Sequence, residues 1–174
     1  FIRDYKGLDL LIRAMADKHI KNRKIKLIVA GEFYANEREY LDLIEQEGVG
    51  DDIILKTEFI PNAEVNRYFC AADLVVQPYK SATQSGISQI AYHFEKPMVV
   101  TNVGGLPEIV KHGEVGYVVE PDPDAIATAI ADFYDKDKEA EFLEALRERK
   151  KLFSWSNMVE GIQTLVEQVE DRQN

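Results

Sequence analysis

The sequence predicts an α/β protein built on a doubly wound, Rossmann-like parallel sheet, and three observations carry that prediction. Short apolar runs recur, each followed by a stretch with helical spacing. The runs are near-continuous Val, Ile and Leu rather than alternating, as in strands covered on both faces. Glycines or capping residues mark the boundaries. Leu8, Leu11, Ile12 and Met15 form one stripe of a first helix, with Asp9 in its first turn, running to about residue 20. Ile25 to Ala30, closed by Gly31, reads as a strand buried on both faces. A charged helix from about Glu37 to Glu47 stops at Gly48, and Ile53-Ile54-Leu55 is the next strand. Asn62 is placed to cap a helix through Ala72, and Leu74-Val75-Val76 follows as a strand. A helix near Gly86 to Phe94, a strand at Met98-Val99-Val100, a glycine turn and a strand at Tyr117-Val118-Val119 complete the alternation.

Beyond Pro121 the pattern turns to helices alone, over about residues 122–172. Asp122-Pro123 is a cap followed by proline at the first helical position, and Ile126, Ile130 and Phe133 follow at helical spacing. A charged helix spans roughly 137–152. The last helix starts at Ser154 or Ser156, puts Val159, Ile162, Val166 and Val169 on one face, and ends in a polar, frayed stretch from Asp171 to Asn174. No repeat, low-complexity tract or linker interrupts the chain, so residues 1–174 read as one domain. The opening pair Phe1-Ile2 leads at once into Tyr5-Lys6-Gly7 and reads as the end of a truncated first strand whose start lies upstream.

Composition narrows the classes of function. The 174 residues are 45% hydrophobic, enough for one core. Lys and Arg total 21 against 31 Asp and Glu, and the net charge of −10 repels nucleic acid and anionic lipid. No window reaches the roughly 18 apolar residues of a membrane span, and the opening lacks a signal-peptide layout. The lone Cys70 excludes an internal disulfide and fits a reducing compartment, so a soluble, cytoplasmic protein is expected.

Ligands of such sheets bind beyond the carboxyl ends of the strands, which directs attention to the loops beginning at residues 1, 31, 58, 77 and 101. In the first, Arg3 and Lys6 stand beside Gly7 and a helix start, where charges, free N–H groups and the helix dipole all favour phosphate; alternatively they balance Asp4 and Asp9. After the fourth strand, the run Tyr79-Lys80-Ser81-Ala82-Thr83-Gln84-Ser85-Gly86-Ile87-Ser88-Gln89 offers hydroxyls, amides and a close backbone approach at Gly86, or a plain helix cap. Gly104 and Gly105 permit either ligand packing or a turn. His19, His93 and His112 have no partners at ligand spacing, the Asp-x-Asp pairs at 122–124 and 135–137 read as caps, and no metal site is expected. Cys70 reads as a small core residue.

Together these stretches resemble the C-terminal, nucleotide-sugar-binding domain of the two-domain GT-B glycosyltransferases, in particular family 4, the group 1 glycosyl transferases. The likeness covers nearly all 174 residues. It rests on Tyr5-Lys6-Gly7-Leu8-Asp9-Leu10-Leu11, Leu27-Ile28-Val29-Ala30-Gly31, Ala71-Ala72-Asp73-Leu74-Val75-Val76-Gln77-Pro78-Tyr79, Lys96-Pro97-Met98-Val99-Val100, Gly104-Gly105-Leu106-Pro107-Glu108 and Gly113-Glu114-Val115-Gly116-Tyr117 in that order, with Phe153-Ser154-Trp155-Ser156 as the ending.

The resemblance implies a retaining glycosyltransferase whose donor is a UDP-, GDP- or ADP-sugar and which requires no cofactor. It also implies a partner, an N-terminal acceptor-binding domain outside this chain, through which any membrane contact would run. Lys6 falls where the family's lysine holds the donor diphosphate, and Arg3 takes the part of its arginine, although the family usually keeps that arginine two residues further away. Thr83, Gln84, Ser85, Gly86 and the amides after it at Ile87 would face the diphosphate and sugar. Gly104 and Gly105 would form the adjoining wall, and the base would lie near Phe59 and Ile60.

One departure stands out. The family carries a Glu, seven residues, and another Glu across this loop and helix, whereas no acidic residue occurs between Asp73 and Glu95. The first falls at Ala82 or Thr83 and the second at Ile90 or Ala91, leaving Gln84 or Gln89 to supply neutral hydrogen bonds. The alternatives are a non-enzymatic α/β binding module and a nucleotide-sugar 2-epimerase of related fold.

Overall fold

Five short strands alternate with helices along the chain in the computed structural model, which describes residues 1–21, 23–153 and 155–171. The strands are β1 Leu27–Ala30, β2 Ile53–Lys56, β3 Val75–Gln77, β4 Met98–Thr101 and β5 Gly116–Val119. The helices are α1 Leu8–Ala16, α2 Glu37–Glu47, α3 Val65–Ala71, α4 Gly86–His93, α5 Leu106–Ile109, α6 Pro123–Asp135, α7 Glu139–Lys150 and α8 Trp155–Asp171. Every strand pair is parallel, as the sequence predicts.

The sheet is in two parts. One holds β1-β2 and the other β3-β4-β5, with Ile2 making a single parallel bridge to Phe33 beside the first. All four residues of β4 are buried, so this central strand is covered on both faces. The expectation of two covered faces fails at β1: Ile28 is 38% exposed, and Ile54 beside it on β2 is 42% exposed. Helices α1 and α2 pack together over the side of Val29 and Ile53, and the opposite side lies open.

Two clusters make the core. In the first, Leu8, Leu11, Ile12 and Met15 of α1 meet Ile126, Ile130 and Phe133 of α6. The second gathers Tyr92, Met98, Val100, Leu106 and Leu146. Each fully buried Ile or Leu here contributes roughly 1.5–3 kcal/mol.

Helix ends follow local chemistry. Asp122 caps α6 by accepting the N–H groups of Asp124 and Ala125 at 3.0 and 3.1 Å. Gly48, at φ 66°, closes α2. Helix α1 stops at Ala16, short of the expected residue 20, because Asp17 is extended and its Oδ1 accepts the His19 N–H at 2.8 Å, an alternative to helical bonding. Asn62 is not a cap but opens a short 3-10 turn before α3. Cys70 is exposed rather than in the core: Tyr68 and Phe69 take the inward side of α3 and leave Cys70 on the outer one.

The last helix begins at Trp155, and its Val159, Ile162 and Val166 share one face, all exposed. The expected start at Ser154, the side chain of Val169 and the tail at 172–174 lie outside the described residues. No helix among the described residues is long and apolar enough to cross a membrane.

Candidate functional site

Two of the loops singled out in the sequence meet across an open cavity of about 660 Å³ beyond the carboxyl end of β3. The first contributes Tyr5 and Lys6; the second contributes Tyr79, residues 81–87 and, from α4, Ile90. A glycine brings them together. Gly7 sits at φ 68°, and a Cβ there would lie 1.9 Å from the Pro78 carbonyl oxygen, so only glycine allows this approach. The Lys80 N–H then donates to the Tyr5 carbonyl at 2.7 Å, and the Tyr5 and Tyr79 rings meet edge to face at 6.0 Å.

Charge is distributed unevenly over these loops. Lys80 Nζ lies 2.9 Å from Asp4 Oδ1 and 3.0 Å from Asp9 Oδ1. Burial works against its ammonium, and the bonds to the two carboxylates outweigh that, holding its pKa above the usual lysine value. The acids near Lys6 are thus engaged by Lys80. Lys6 Nζ donates to the Phe1 carbonyl at 2.7 Å and, among the described residues, neither Lys6 nor Arg3 forms a salt bridge. Burial and then the nearby Arg3 push the Lys6 pKa down, a shift that the opposite charge of a bound anion would oppose. Lys6 is the only charged side chain lining the cavity among the described residues. Arg3 does not line it; its guanidinium lies 4.5 Å over the Tyr34 ring.

The opposite wall is the start of α4. Ser85 is buried, and its Oγ accepts the Ile87 N–H at 3.3 Å as a helix cap, with the Tyr79 hydroxyl also at 3.3 Å. Thr83, Gln84 and Gly86 are exposed on the cavity wall. At Gly86 an added Cβ would meet nothing within 4 Å, so the protein itself does not require glycine there. Below the wall, Gln77 Nε2 donates to Ser88 Oγ at 3.0 Å and the Thr101 hydroxyl donates to the Tyr79 carbonyl at 2.6 Å. These buried bonds tie the ends of β3 and β4 to α4.

Other predicted residues lie elsewhere. Gly104 and Gly105 do not line the cavity; they back the loop that does. A Cβ on Gly104, at φ 52°, would lie 1.6 Å from the Ala82 carbonyl oxygen, and the Gly105 N–H donates to the Thr83 carbonyl at 2.9 Å. Gln89 is exposed on α4 outside the cavity, and neither Phe59, 71% exposed, nor Ile60 reaches it. Of the two registers for the missing glutamates, Ala82 and Ile90 both line the cavity, whereas Ala91 is fully buried. The sequence assigns no role to Lys80, Tyr5 or Tyr34, because what they do depends on a loop-to-loop approach that has no local pattern. Among the described residues no group of three or more His, Cys, Asp or Glu is placed to hold a metal.

An α/β fold with parallel strands alternating with helices in this way matches one Rossmann-like half of a GT-B glycosyltransferase. The chain belongs to the glycosyl transferases group 1 family, whose family model matches residues 1–136. It is 35% identical over 127 residues to an uncharacterized glycosyltransferase of Methanocaldococcus jannaschii, covering 72% of this chain and 32% of that protein. It is 29% identical over 170 residues to a D-inositol 3-phosphate glycosyltransferase of Acidothermus cellulolyticus, covering 92% and 38%. The chain therefore spans about a third to two fifths of such relatives. Its fold matches sucrose-phosphate synthase from Thermosynechococcus elongatus at a TM-score of 0.77 with 25% identity, covering 98% of this chain and 44% of that one. Anabaena HepE, solved in complex with UDP, matches at a TM-score of 0.79 with 20% identity, covering 95% and 46%.

Proposed function

We propose that this chain is the donor-binding part of a retaining glycosyltransferase that moves a sugar from a nucleotide-diphosphate sugar to an acceptor held by an N-terminal domain of the same protein. The observation that carries the reading is the cavity shared by Lys6 and the start of α4, with no carboxylate on its wall. A diphosphate there meets an ammonium on one side and the N-terminal end of α4 on the other, and the two stabilise the negative charge that grows on the leaving diphosphate as the glycosidic bond breaks. Arg3 adds positive charge from beside Lys6, and Thr83 and Gln84 offer neutral hydrogen bonds to the sugar. UDP is the first donor nucleotide to try, given the UDP complex of HepE, with GDP and ADP beside it. We place the protein in the cytoplasm, in carbohydrate biosynthesis.

Calorimetric titration with UDP, GDP and ADP tests this. Weak binding of at least one is expected, and Lys6→Ala should weaken it about 10- to 100-fold, since a charged hydrogen bond is worth roughly 1.5–3 kcal/mol. Absence of binding by all three, or an unchanged affinity in Lys6→Ala, would refute the assignment.

A further inference from the structure

Tyr79 stands where the two loops of the cavity meet and is held from three sides. The Thr101 hydroxyl donates to its carbonyl at 2.6 Å, its ring meets that of Tyr5 edge to face at 6.0 Å, and its hydroxyl lies 3.3 Å from Ser85 Oγ. Tyr79 and Ser85 both line the cavity, yet each is only 6% exposed, so their hydroxyls have little bulk water to turn to. Burial, the largest influence, raises the Tyr79 pKa above its usual 10.0 and keeps the phenol protonated at neutral pH.

The two hydroxyls do not use all their protons on each other. Each brings one proton and two lone pairs. The contact between them consumes one proton, and Ser85 Oγ accepts a further hydrogen bond from the Ile87 N–H at 3.3 Å. Among the described residues neither oxygen has another partner, so one hydroxyl proton of the pair has no acceptor in the protein. Acidity decides which one. A phenolic O–H is the stronger donor and its oxygen the poorer acceptor, so Tyr79 donates and Ser85 accepts. Ser85 Oγ then has both lone pairs filled, by Tyr79 and by Ile87, and toward a ligand it acts only as a donor, strengthened by the bonds it accepts. Lys6 on the same cavity wall favours an anion, whose oxygens accept hydrogen bonds and have none to give.

We propose that Tyr79 is a positioning residue for the donor: its hydroxyl occupies the last acceptor site of Ser85 Oγ and so leaves the Ser85 hydroxyl as a donor to a diphosphate oxygen facing Lys6. Ser85 touches the ligand, and Tyr79 acts only through Ser85. This role rests on the donor reading above, since it requires a nucleoside diphosphate in the cavity. With the Tyr79 hydroxyl removed, Ser85 Oγ regains an open lone pair, which repels a phosphate oxygen, and its proton can rotate away from the ligand.

The test is calorimetric titration of the wild type, Tyr79→Phe, Ser85→Ala, their double variant and Ser85→Asp with whichever of UDP, GDP and ADP the wild type binds best, beside urea denaturation of each. Tyr79→Phe keeps the ring against Tyr5. Affinity should fall about threefold in Tyr79→Phe and about tenfold in Ser85→Ala, with the double variant equal to Ser85→Ala. Ser85→Asp keeps a capping side chain but has no proton to give, so its urea midpoint should stay close to that of the wild type while its affinity falls at least about tenfold. A double variant weaker than Ser85→Ala would show that Tyr79 acts on the ligand or the fold directly, and overturns the proposal. So does an unchanged affinity in Tyr79→Phe, or Ser85→Asp binding like the wild type. Any of these results leaves the donor reading standing as long as the wild type binds, whereas a wild type that binds none of the three nucleotides removes both.

Discussion

Lys80 Nζ lies 2.9 Å from Asp4 Oδ1 and 3.0 Å from Asp9 Oδ1, so one ammonium pairs with the two carboxylates that flank Lys6 in sequence. Lys80→Met should release both acids toward the cavity and weaken UDP binding about tenfold, the cost of unfavourable charge near a diphosphate. Stability should fall by less than about 1 kcal/mol, because the pair is partly exposed and screened. Adding Asp4→Asn and Asp9→Asn to Lys80→Met should restore the affinity. Titration of the three proteins checks this, and a triple variant as weak as Lys80→Met would show that Lys80 acts by shape instead.

The Lys6 pKa, lowered by burial and by Arg3, sets the pH range of binding. An anion prefers the charged ammonium, so affinity should persist at lower pH and be lost as pH rises through that lowered value, below the 10.5 of an ordinary lysine. The same shift means that keeping Lys6 charged destabilises the unliganded fold at neutral pH, a cost relieved as pH rises. Binding at alkaline pH should therefore take up a proton, measurable by calorimetry in buffers of different ionisation enthalpy. Lys6→Arg, with a guanidinium that does not titrate there, should abolish both the alkaline loss and the proton uptake.

Gly86 separates the needs of the fold from those of a ligand. It opens α4, and apart from its chain neighbours and the backbone of α4 nothing lies within 4 Å of where its Cβ would be. Gly86→Ala should stabilise the chain by about 0.5–1 kcal/mol, since alanine restricts the unfolded state and favours helix. It should also lower UDP affinity several-fold by placing a methyl group on the cavity wall. A urea midpoint that rises while affinity falls is the expected pair of results.

In one of the two registers that the resemblance to family 4 allows for its paired glutamates, the positions are Ala82 and Ile90, both on the cavity wall. The carboxylates implied there grip sugar and ribose hydroxyls, and each such bond to a charged group is worth roughly 1.5–3 kcal/mol. Ile90→Glu should therefore tighten UDP binding about tenfold, and the 2′-deoxy or 3′-deoxy nucleotide should lose that gain. An identical gain with the deoxy nucleotides would mean that the new carboxylate does not meet the ribose.

The fold was readable because its elements are local. Apolar runs such as Met98-Val99-Val100 and the Asp122-Pro123 cap each declare an element within a few residues. The loops at Lys6 and at residues 82–86 were found from strand ends for the same reason. What escaped is long-range. Neither the pairing of Lys80 with Asp4, 76 residues apart, nor the open face of Ile28 has a pattern in the chain. Gly104 and Gly105 were recognised as special, but a glycine needed by a ligand and one needed by a neighbouring carbonyl look alike in sequence. The exposure of Cys70 has no sequence signal because a helix of seven residues, packing on the core through Phe69, shows too few turns to fix its faces.

Positive-φ glycines provide a graded test of how tightly the site loops are packed. Gly48, Gly7 and Gly104 share similar φ values of 66°, 68° and 52°. An alanine at any of them bears the left-handed strain of about 1–2 kcal/mol. At Gly48 nothing lies within 4 Å of the new methyl group, so that strain should be the whole effect. At Gly7 and Gly104 the methyl group would stand 1.9 Å from the Pro78 oxygen and 1.6 Å from the Ala82 oxygen, which are backbone atoms and cannot rotate aside. The loops must part, with the Lys80 to Tyr5 and Gly105 to Thr83 bonds at risk, and the cost should exceed about 3 kcal/mol. Urea denaturation of the three variants measures the order directly. A Gly104→Ala no worse than Gly48→Ala would show that the 82–83 loop yields freely, and with it the wall opposite Lys6.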